Sequence, residues 1–111
     1  MRIALLVLCV FSMTACAPTR TPDPDVTFQP DRNGLSVRPG SQRIDFGRAP
    51  SGVVAVLDRE LGPGRAMPVA GCPAGVIMQR AWGDMVLTFT DERFVGWRQG
   101  QTHAGRICAS A

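Results

Sequence analysis

Three short apolar segments near the C-terminal end, separated by two tight turns, constrain the fold of this chain most. Residues 76–82, 85–90 and 93–97 are rich in β-branched, aromatic and other apolar side chains. Only residues 83–84 and 91–92 lie between them, and connections this short join neighbouring antiparallel strands. The pattern therefore predicts a three-stranded antiparallel meander.

The region before the meander combines strand and helix signals. Apolar and polar residues alternate over residues 35–38 and 42–46, as expected for half-buried strands. From about residue 51 the apolar side chains recur at spacings of three and four, which places them on one face of a helix. This helix should end after about ten residues, at Leu61, because Gly62 can adopt a left-handed conformation and Pro63 prevents continuation.

Together these patterns predict an α+β domain over residues 35–111, in which one short helix packs on a small antiparallel sheet ending in the meander. Residues 63–75, which contain three prolines and three glycines, are expected to be irregular. The predicted core consists of Ile44, Leu57, Leu61, Leu87, Phe89 and Phe94, with one or both of Trp82 and Trp97.

The first sixteen residues have the pattern of an export signal. Arg2 precedes an unbroken apolar run over residues 3–11, and the small residue Ala15 directly precedes Cys16. This run is too short for a membrane span, which needs about 20 residues, but it fits the apolar centre of a secretory signal. The segment resembles the signal peptide of a bacterial lipoprotein. The alternative is ordinary cleavage after Ala17, which would release a soluble secreted protein.

The lipoprotein resemblance implies that residues 1–15 are removed and that Cys16 is acylated, with palmitate among the attached chains. The lipid bilayer is then a partner of the chain through Cys16. Since Ala17 stands where an inner-membrane retention signal often has aspartate, the resemblance implies the periplasmic face of the outer membrane. Residues 16–34 are expected to form the lipidated cysteine and a proline-rich tether, because they contain little apolar surface to bury.

Two cysteines remain, Cys72 and Cys108, and an even remainder in an oxidising compartment indicates a disulfide. A metal site is the rival interpretation, with His103 as a third ligand. Zinc sites usually have four ligands that include closely spaced pairs, and this chain offers no such pair. A redox pair would normally be spaced C-x-x-C. The disulfide is therefore the favoured prediction, with free thiols as the remaining possibility.

Composition and motifs favour a protein without catalytic activity. Loss of Arg2 with the signal lowers the net charge from +3 to about +2, and the arginines are scattered, so nucleic-acid binding is not indicated. No Gly-x-Ser-x-Gly motif or phosphate-binding glycine loop occurs. The carboxylate pairs at residues 58/60 and 91/92 are expected on a solvated helix face and in a turn. We therefore expect no catalytic residues, no metal and no cofactor.

The two tryptophans allow two interpretations. Tryptophans in a meander usually belong to the core, but a partly exposed indole beside an arginine would form a recognition surface, since both residue types are enriched at binding hot spots. The candidate interaction surface consists of Trp82, Trp97, Arg80 and Arg98.

Residues 47–63 show a family likeness. Gly47, the pair Val53-Val54, Leu57 and the terminal Leu61-Gly62-Pro63 resemble the short helix of small outer-membrane lipoproteins of the SmpA/OmlA type, helper subunits of the outer-membrane protein assembly machine. The resemblance implies helical material against a three-stranded antiparallel sheet. It assigns no functional residues.

The expected function is that of a membrane-anchored, non-enzymatic envelope lipoprotein that acts as a structural accessory or binds another envelope protein. The alternative is a secreted or anchored module that recognises a small ligand or target protein through the Trp/Arg surface.

Overall fold

The computed structural model describes residues 25–109, which form one helix and two antiparallel sheets. The α+β class predicted from the sequence is confirmed. The N-terminal sheet has three strands in the order β1-β2-β3, and the C-terminal sheet has five in the order β4-β5-β6-β7-β8. The elements are β1 (Thr27–Asp31), β2 (Gly34–Arg38), β3 (Gln42–Asp45), α1 (Pro50–Leu61), β4 (Arg65–Met67), β5 (Val76–Trp82), β6 (Met85–Thr90), β7 (Phe94–Gln99) and β8 (Thr102–Gly105).

Strand β1 lies in a region where the sequence predicted a tether through residue 34. It pairs with β2 from Thr27 opposite Arg38 to Asp31 opposite Gly34, so the ordered sheet begins eight residues before the predicted domain boundary at Leu35. The composition of the segment is polar and includes Pro30, which is tolerated because β1 is an edge strand. The pairing places Phe28 opposite Val37, and this cross-strand contact is not visible in the local sequence.

Helix α1 matches its predicted position. Proline occupies the first turn, and Gly62 ends the helix with a φ of 87°, a conformation that side-chain-bearing residues rarely adopt. Val53 and Leu57 are buried, but Leu61, predicted in the core, is 46% exposed. The helical spacing places Leu61 correctly on the apolar face. Periodicity shows which positions share a face of the helix, but it does not reveal which of them meet a packing partner in the folded domain.

The predicted meander is confirmed as β5, β6 and β7, and it gains a strand at each edge. Strand β4 pairs with β5 inside the segment expected to be irregular, and β8 pairs with β7 after it. Both additions were missed because β4 has only three residues and β8 is short, mostly exposed and without alternation. Their hydrogen bonds to a neighbouring strand, rather than their own side chains, define them.

The core lies between the C-terminal sheet, α1 and the inner face of the N-terminal sheet. Cross-strand pairing of Trp82 with Met85, and of Leu87 with Trp97, places these four side chains on the face that packs against Val53 and Leu57. Apart from Leu61, the predicted core is confirmed, and both tryptophans belong to it. The buried apolar cluster comprises Leu35, Ile44, Val53, Leu57, Trp82, Met85, Leu87, Phe89, Phe94 and Trp97.

The two sheets are joined by hydrogen bonds at one junction. The indole Nε1–H of Trp97 donates to the backbone carbonyl of Asp31 at 2.6 Å. Beside it, Gly47 N–H donates to the carbonyl of Phe94, and Phe94 N–H donates to the carbonyl of Arg48, each at 2.8 Å. The ring of Phe46 meets that of Phe94 edge-on with centroids 5.1 Å apart. These contacts fix the end of β3 against the start of β7.

The opposite face of the C-terminal sheet is covered by irregular chain and by the C-terminal tail (residues 106–109). Gln79 donates from its side-chain amide to the carbonyl of Pro68 at 2.7 Å, and Arg106 N–H donates to the carbonyl of Val95 at 2.9 Å. A Cβ atom at Gly96 would lie 1.9 Å from the Arg106 carbonyl oxygen, so only glycine allows this approach. The predicted disulfide between Cys72 and Cys108 is present and ties the two covering segments together.

We expect loss of the disulfide to destabilise the domain strongly. Its residues are 36 apart in sequence, and a loop of this size corresponds to about 3.5–4 kcal/mol of unfolded-state entropy. A Cys72→Ser/Cys108→Ser double variant should lower the free energy of unfolding by about that amount, measured by urea denaturation. Reduction of the unmodified chain should have the same effect on that chain and none on the variant. An unchanged unfolding midpoint would contradict this structural role.

Two substitutions of Trp97 distinguish the contribution of its packing to stability from the contribution of its hydrogen bond. Trp97→Phe keeps most of the ring but leaves the Asp31 carbonyl without its indole donor, so we expect a loss of about 1–2 kcal/mol. Trp97→Ala also creates a cavity, and the loss should reach about 3–5 kcal/mol, a large share of the 5–15 kcal/mol typical of a domain. Thermal unfolding followed by circular dichroism measures both. A stable Trp97→Ala variant would mean that this indole is not a core residue.

Candidate functional site

The structure divides the predicted Trp/Arg surface between two faces of the C-terminal sheet. Arg80 pairs across the strands with Leu87, on the core face that also carries Trp82 and Trp97. Arg98 pairs with Val86 and His103 on the opposite face. Trp82 and Trp97 are only 7% and 3% exposed. The four side chains therefore do not form one recognition surface.

Trp82 has a structural role that the sequence did not reveal. Its Nε1–H donates to Asp58 Oδ1 at 3.0 Å and to the Gly62 carbonyl at 3.1 Å, and Gly64 N–H donates to the same Asp58 oxygen at 2.8 Å. Asp58 was expected on the solvated face of the helix, but it is half-buried and fastens the end of α1 to β5. Helical spacing alone does not show that an indole N–H approaches from another strand.

Arg80 is the unusual member of the predicted set. It is half-buried, and its Nε atom is fully buried without a hydrogen-bond partner among the described residues. Its side-chain carbons pack so closely on Gly64 that a Cβ there would lie 2.7 Å from Arg80 Cγ. The side chain thus fills space beside Trp82. His103 is exposed, and no group of three or more metal-ligating side chains occurs within residues 25–109.

A groove between the N-terminal sheet and α1 is the strongest candidate site, and we call it the sheet–helix groove. Its volume is about 880 Å³. Register places Phe28 opposite Val37 and Val37 opposite Gln42, so one face of the sheet forms one wall. Val56 of α1 lies on the other wall. Phe28, Val37 and Val56 are only half-buried, so the groove presents apolar side chains that the fold leaves partly uncovered.

The groove continues into a smaller apolar recess at the first turn of α1. This recess, about 340 Å³, is lined by Ile44, Ala49, Gly52, Val53 and Val56, with Arg48 as its charged border. Ile44, Arg48 and Val56 belong to both cavities. The two are therefore one continuous surface, apolar at the base and basic at the edge.

Arg43 belongs to the strand that borders the groove, but its side chain lies in register with Ser36 and Gln29 on the other face of the sheet, where neighbouring carboxylates neutralise it. It donates to both Asp31 oxygens at 2.8 Å and to Asp45 Oδ1 at 2.8 Å. The Arg43 hydrogen bonds, with a smaller contribution from the Asn33 backbone N–H, lower the pKa of Asp31 to about 2. Hydrogen bonds to Asp31 and then Asp45 raise the pKa of Arg43. The pair braces β1 against β3.

The other two groove arginines differ in their pairing. Arg59 Nε lies 3.0 Å from Glu60 Oε1, so this charge is compensated within the helix. Arg48 forms no ion pair within residues 25–109, and its side chain makes only one long contact, 3.5 Å to the Arg43 carbonyl. Arg48 is exposed. It is therefore the cation of the groove that a ligand can engage.

A second depression, about 1010 Å³, lies at the opposite face of the C-terminal sheet. Exposed polar residues of turns and of β8, together with the C-terminal tail, line much of it. It includes Arg98 and His103, and it is more open to solvent than the sheet–helix groove. We therefore prefer the groove as the candidate site.

The sequence predicts the apolar character of some groove residues, but it does not predict that they line a common groove. Ile44 and Val56 lie on the apolar faces of the predicted strand and helix, but the wall that includes Phe28 was assigned to the tether. An alternation of apolar residues at 26, 28 and 30 was the available signal.

Cys16, the predicted lipidation site, lies outside the described residues, and no helix within residues 25–109 is long and apolar enough to cross a membrane.

Comparisons of this chain with protein families, curated proteins and solved structures found no match. The likeness of residues 47–63 to SmpA/OmlA-type lipoproteins therefore stays a prediction, and the site is interpreted from its own geometry.

The Asp31–Arg43 pair predicts a pH dependence of stability. The folded pKa of Asp31, about 2, lies below its ordinary value of 3.8. Its contribution is therefore complete above about pH 4 and is lost as the pH falls through 2. Because these side chains are 38% and 35% exposed, solvent screening keeps the effect small. Asp31→Asn should lower the melting temperature by a few degrees at pH 7.

The difference between the unmodified chain and Asp31→Asn should shrink progressively from pH 4 to pH 2 in thermal unfolding experiments. Asp91→Asn, a change in an exposed turn, serves as the matched control. A stability difference that is the same at pH 7 and pH 2 would show that the ion pair is not its source.

Proposed function

We propose that this chain is a lipid-anchored, non-enzymatic accessory protein of the bacterial cell envelope, and that the sheet–helix groove is its docking surface. The anchoring part rests on Ala15 and Cys16 behind a short apolar run. The docking part rests on one observation: the half-buried side chains Phe28, Val37 and Val56 line an open groove of about 880 Å³ between the N-terminal sheet and α1.

The disulfide supports an extracytoplasmic location. Bonds of this kind persist in secreted and periplasmic proteins and are rare in a reducing cytosol. In this domain the Cys72–Cys108 bridge fastens the tail over one face of the C-terminal sheet, and Cys108 is 2% exposed. A chain that relies on such a bridge gains most from export to an oxidising compartment.

The start of β1 refines the anchoring proposal. Ten residues lie between Cys16 and Thr27, and a proline-rich segment extends about 3 Å per residue. The tether would then hold the domain within about 30 Å of the lipid surface, on the periplasmic side of the outer membrane. Because Val26 and Phe28 line the groove, its mouth lies near the point where the tether joins the domain.

The competing proposal, recognition of a small ligand or target protein through Trp82 and Trp97, receives no support from the structure. Both indoles are buried, and their N–H groups are already hydrogen-bonded within the domain. Exposing either one would disrupt a contact that joins two layers. Protein docking at the sheet–helix groove requires no such rearrangement.

Metabolic labelling with an alkyne fatty-acid analogue tests the anchor. We expect label on the unmodified chain and its recovery in the membrane fraction. Cys16→Ser should lose the label, because the acceptor sulfur is absent, while Cys9→Ser within the leader should retain it. An unlabelled natural chain would contradict the lipoprotein proposal, and label that survives in Cys16→Ser would place the modification elsewhere.

A further inference from the structure

We propose that the sheet–helix groove binds an apolar segment of another envelope protein that carries a carboxylate, with Arg48 as the residue that pairs with this carboxylate. The inference rests on the proposed docking function and names the chemistry of the partner. It follows from the shape of the groove, the distribution of its apolar side chains and the pairing of its charges.

The shape of the groove favours a linear protein segment. One wall is a sheet face with Phe28 and Val37, and the other is a helix face with Val56. Two walls that meet at an angle accept an extended strand or a single amphipathic helix, as in other peptide-binding grooves. A flat bilayer surface would not reach Ile44 at the base.

Apolar contacts would supply the affinity. Ile44 is 9% exposed, whereas Phe28, Val37 and Val56 are half-buried and lose further contact with water when the groove is filled. Each square ångström of apolar surface removed from water contributes about 25 cal/mol. The apolar recess beside Arg48 gives one side chain of the partner a place to insert.

Charge complementarity selects the polar part of the partner. Three of the four charged residues that line the groove are arginines, and Arg43 and Arg59 already have carboxylate partners within the domain. Arg48 does not. The N-terminal end of the α1 macrodipole adds positive potential near Arg48, and no acidic residue in the first turn of α1 offsets it. A carboxylate on the incoming segment would therefore be favoured over an amide or a cation.

A photo-crosslinking experiment in cells of the source bacterium tests this inference. Gln42 is exposed and lines the groove, so p-benzoylphenylalanine at this position reports its occupant. Gln29 is also exposed but lies on the opposite face of the same sheet, and it provides the matched control position. Mass spectrometry of the adduct identifies the crosslinked segment and its sequence.

We expect an adduct from position 42 and none from position 29. The segment crosslinked to position 42 should contain apolar residues, with an Asp or Glu within about one helical turn of them. Arg48→Glu should lower the adduct yield by about fivefold, the effect of losing one exposed ion pair of about 1 kcal/mol. Arg93→Glu, at an exposed turn outside the groove, should leave the yield unchanged. Replacing the partner's carboxylate by arginine should restore the yield with Arg48→Glu.

Four outcomes would overturn the inference: no adduct, an adduct with a second copy of this chain, an adduct with lipid, or a yield insensitive to Arg48→Glu. Unfolding temperatures of the variants show whether each remains folded. Because the Arg48 backbone carbonyl makes the bond to Phe94, its side chain can be changed without removing that contact. Fatty-acid labelling in the same cells shows whether the chain is lipid-anchored, so a missing adduct on a labelled chain contradicts the groove proposal and leaves the anchoring proposal intact.

Discussion

The contact between Asp31 and Trp97 joins two parts of the chain that would otherwise be separate small sheets. They are 66 residues apart, yet the Trp97 indole donates to the Asp31 carbonyl at 2.6 Å. Backbone bonds between Gly47, Arg48 and Phe94 continue the same junction. The N-terminal sheet has only three strands of four or five residues, and a unit this small buries too little apolar surface to be stable alone, so docking on the larger sheet is a condition for its folding. The groove exists because this docking sets the N-terminal sheet beside α1.

The second constraint acts at the other face of the larger sheet. β6 is buried on both faces, an arrangement that needs a cover on each side. α1 and the N-terminal sheet provide one cover, but the other consists of irregular chain with few apolar residues. The Cys72–Cys108 bridge holds this cover in place, while Gly96 allows the tail to approach the strand closely. A small domain thus obtains a two-sided core without a third layer of regular structure.

The candidate site could be predicted only in part, and its residues show why. Ile44 and Val56 follow the periodicity of their own elements, so their apolar faces were recognisable. Arg48 lies in the loop between β3 and α1, where no pattern distinguishes an unpaired arginine from a paired one. Asp31 and Asp45 neutralise Arg43 only because register aligns β1 with β3 across β2. The charge of the groove is therefore a property of the assembled sheet.

The difference between local patterns and assembled structure also explains which strands and which buried indoles could be predicted. The amino-acid sequence alone determined the α+β class, the helix, the central meander and the disulfide, because these depend on local periodicity, turn residues and cysteine parity. Tertiary structure decided that Thr27–Asp31 is a strand, that Leu61 is exposed and that Trp82 and Trp97 are buried. These outcomes depend on which distant surface meets each segment. Burial and hydrogen-bond partners are properties of pairs of elements, and a local pattern describes only one member of each pair.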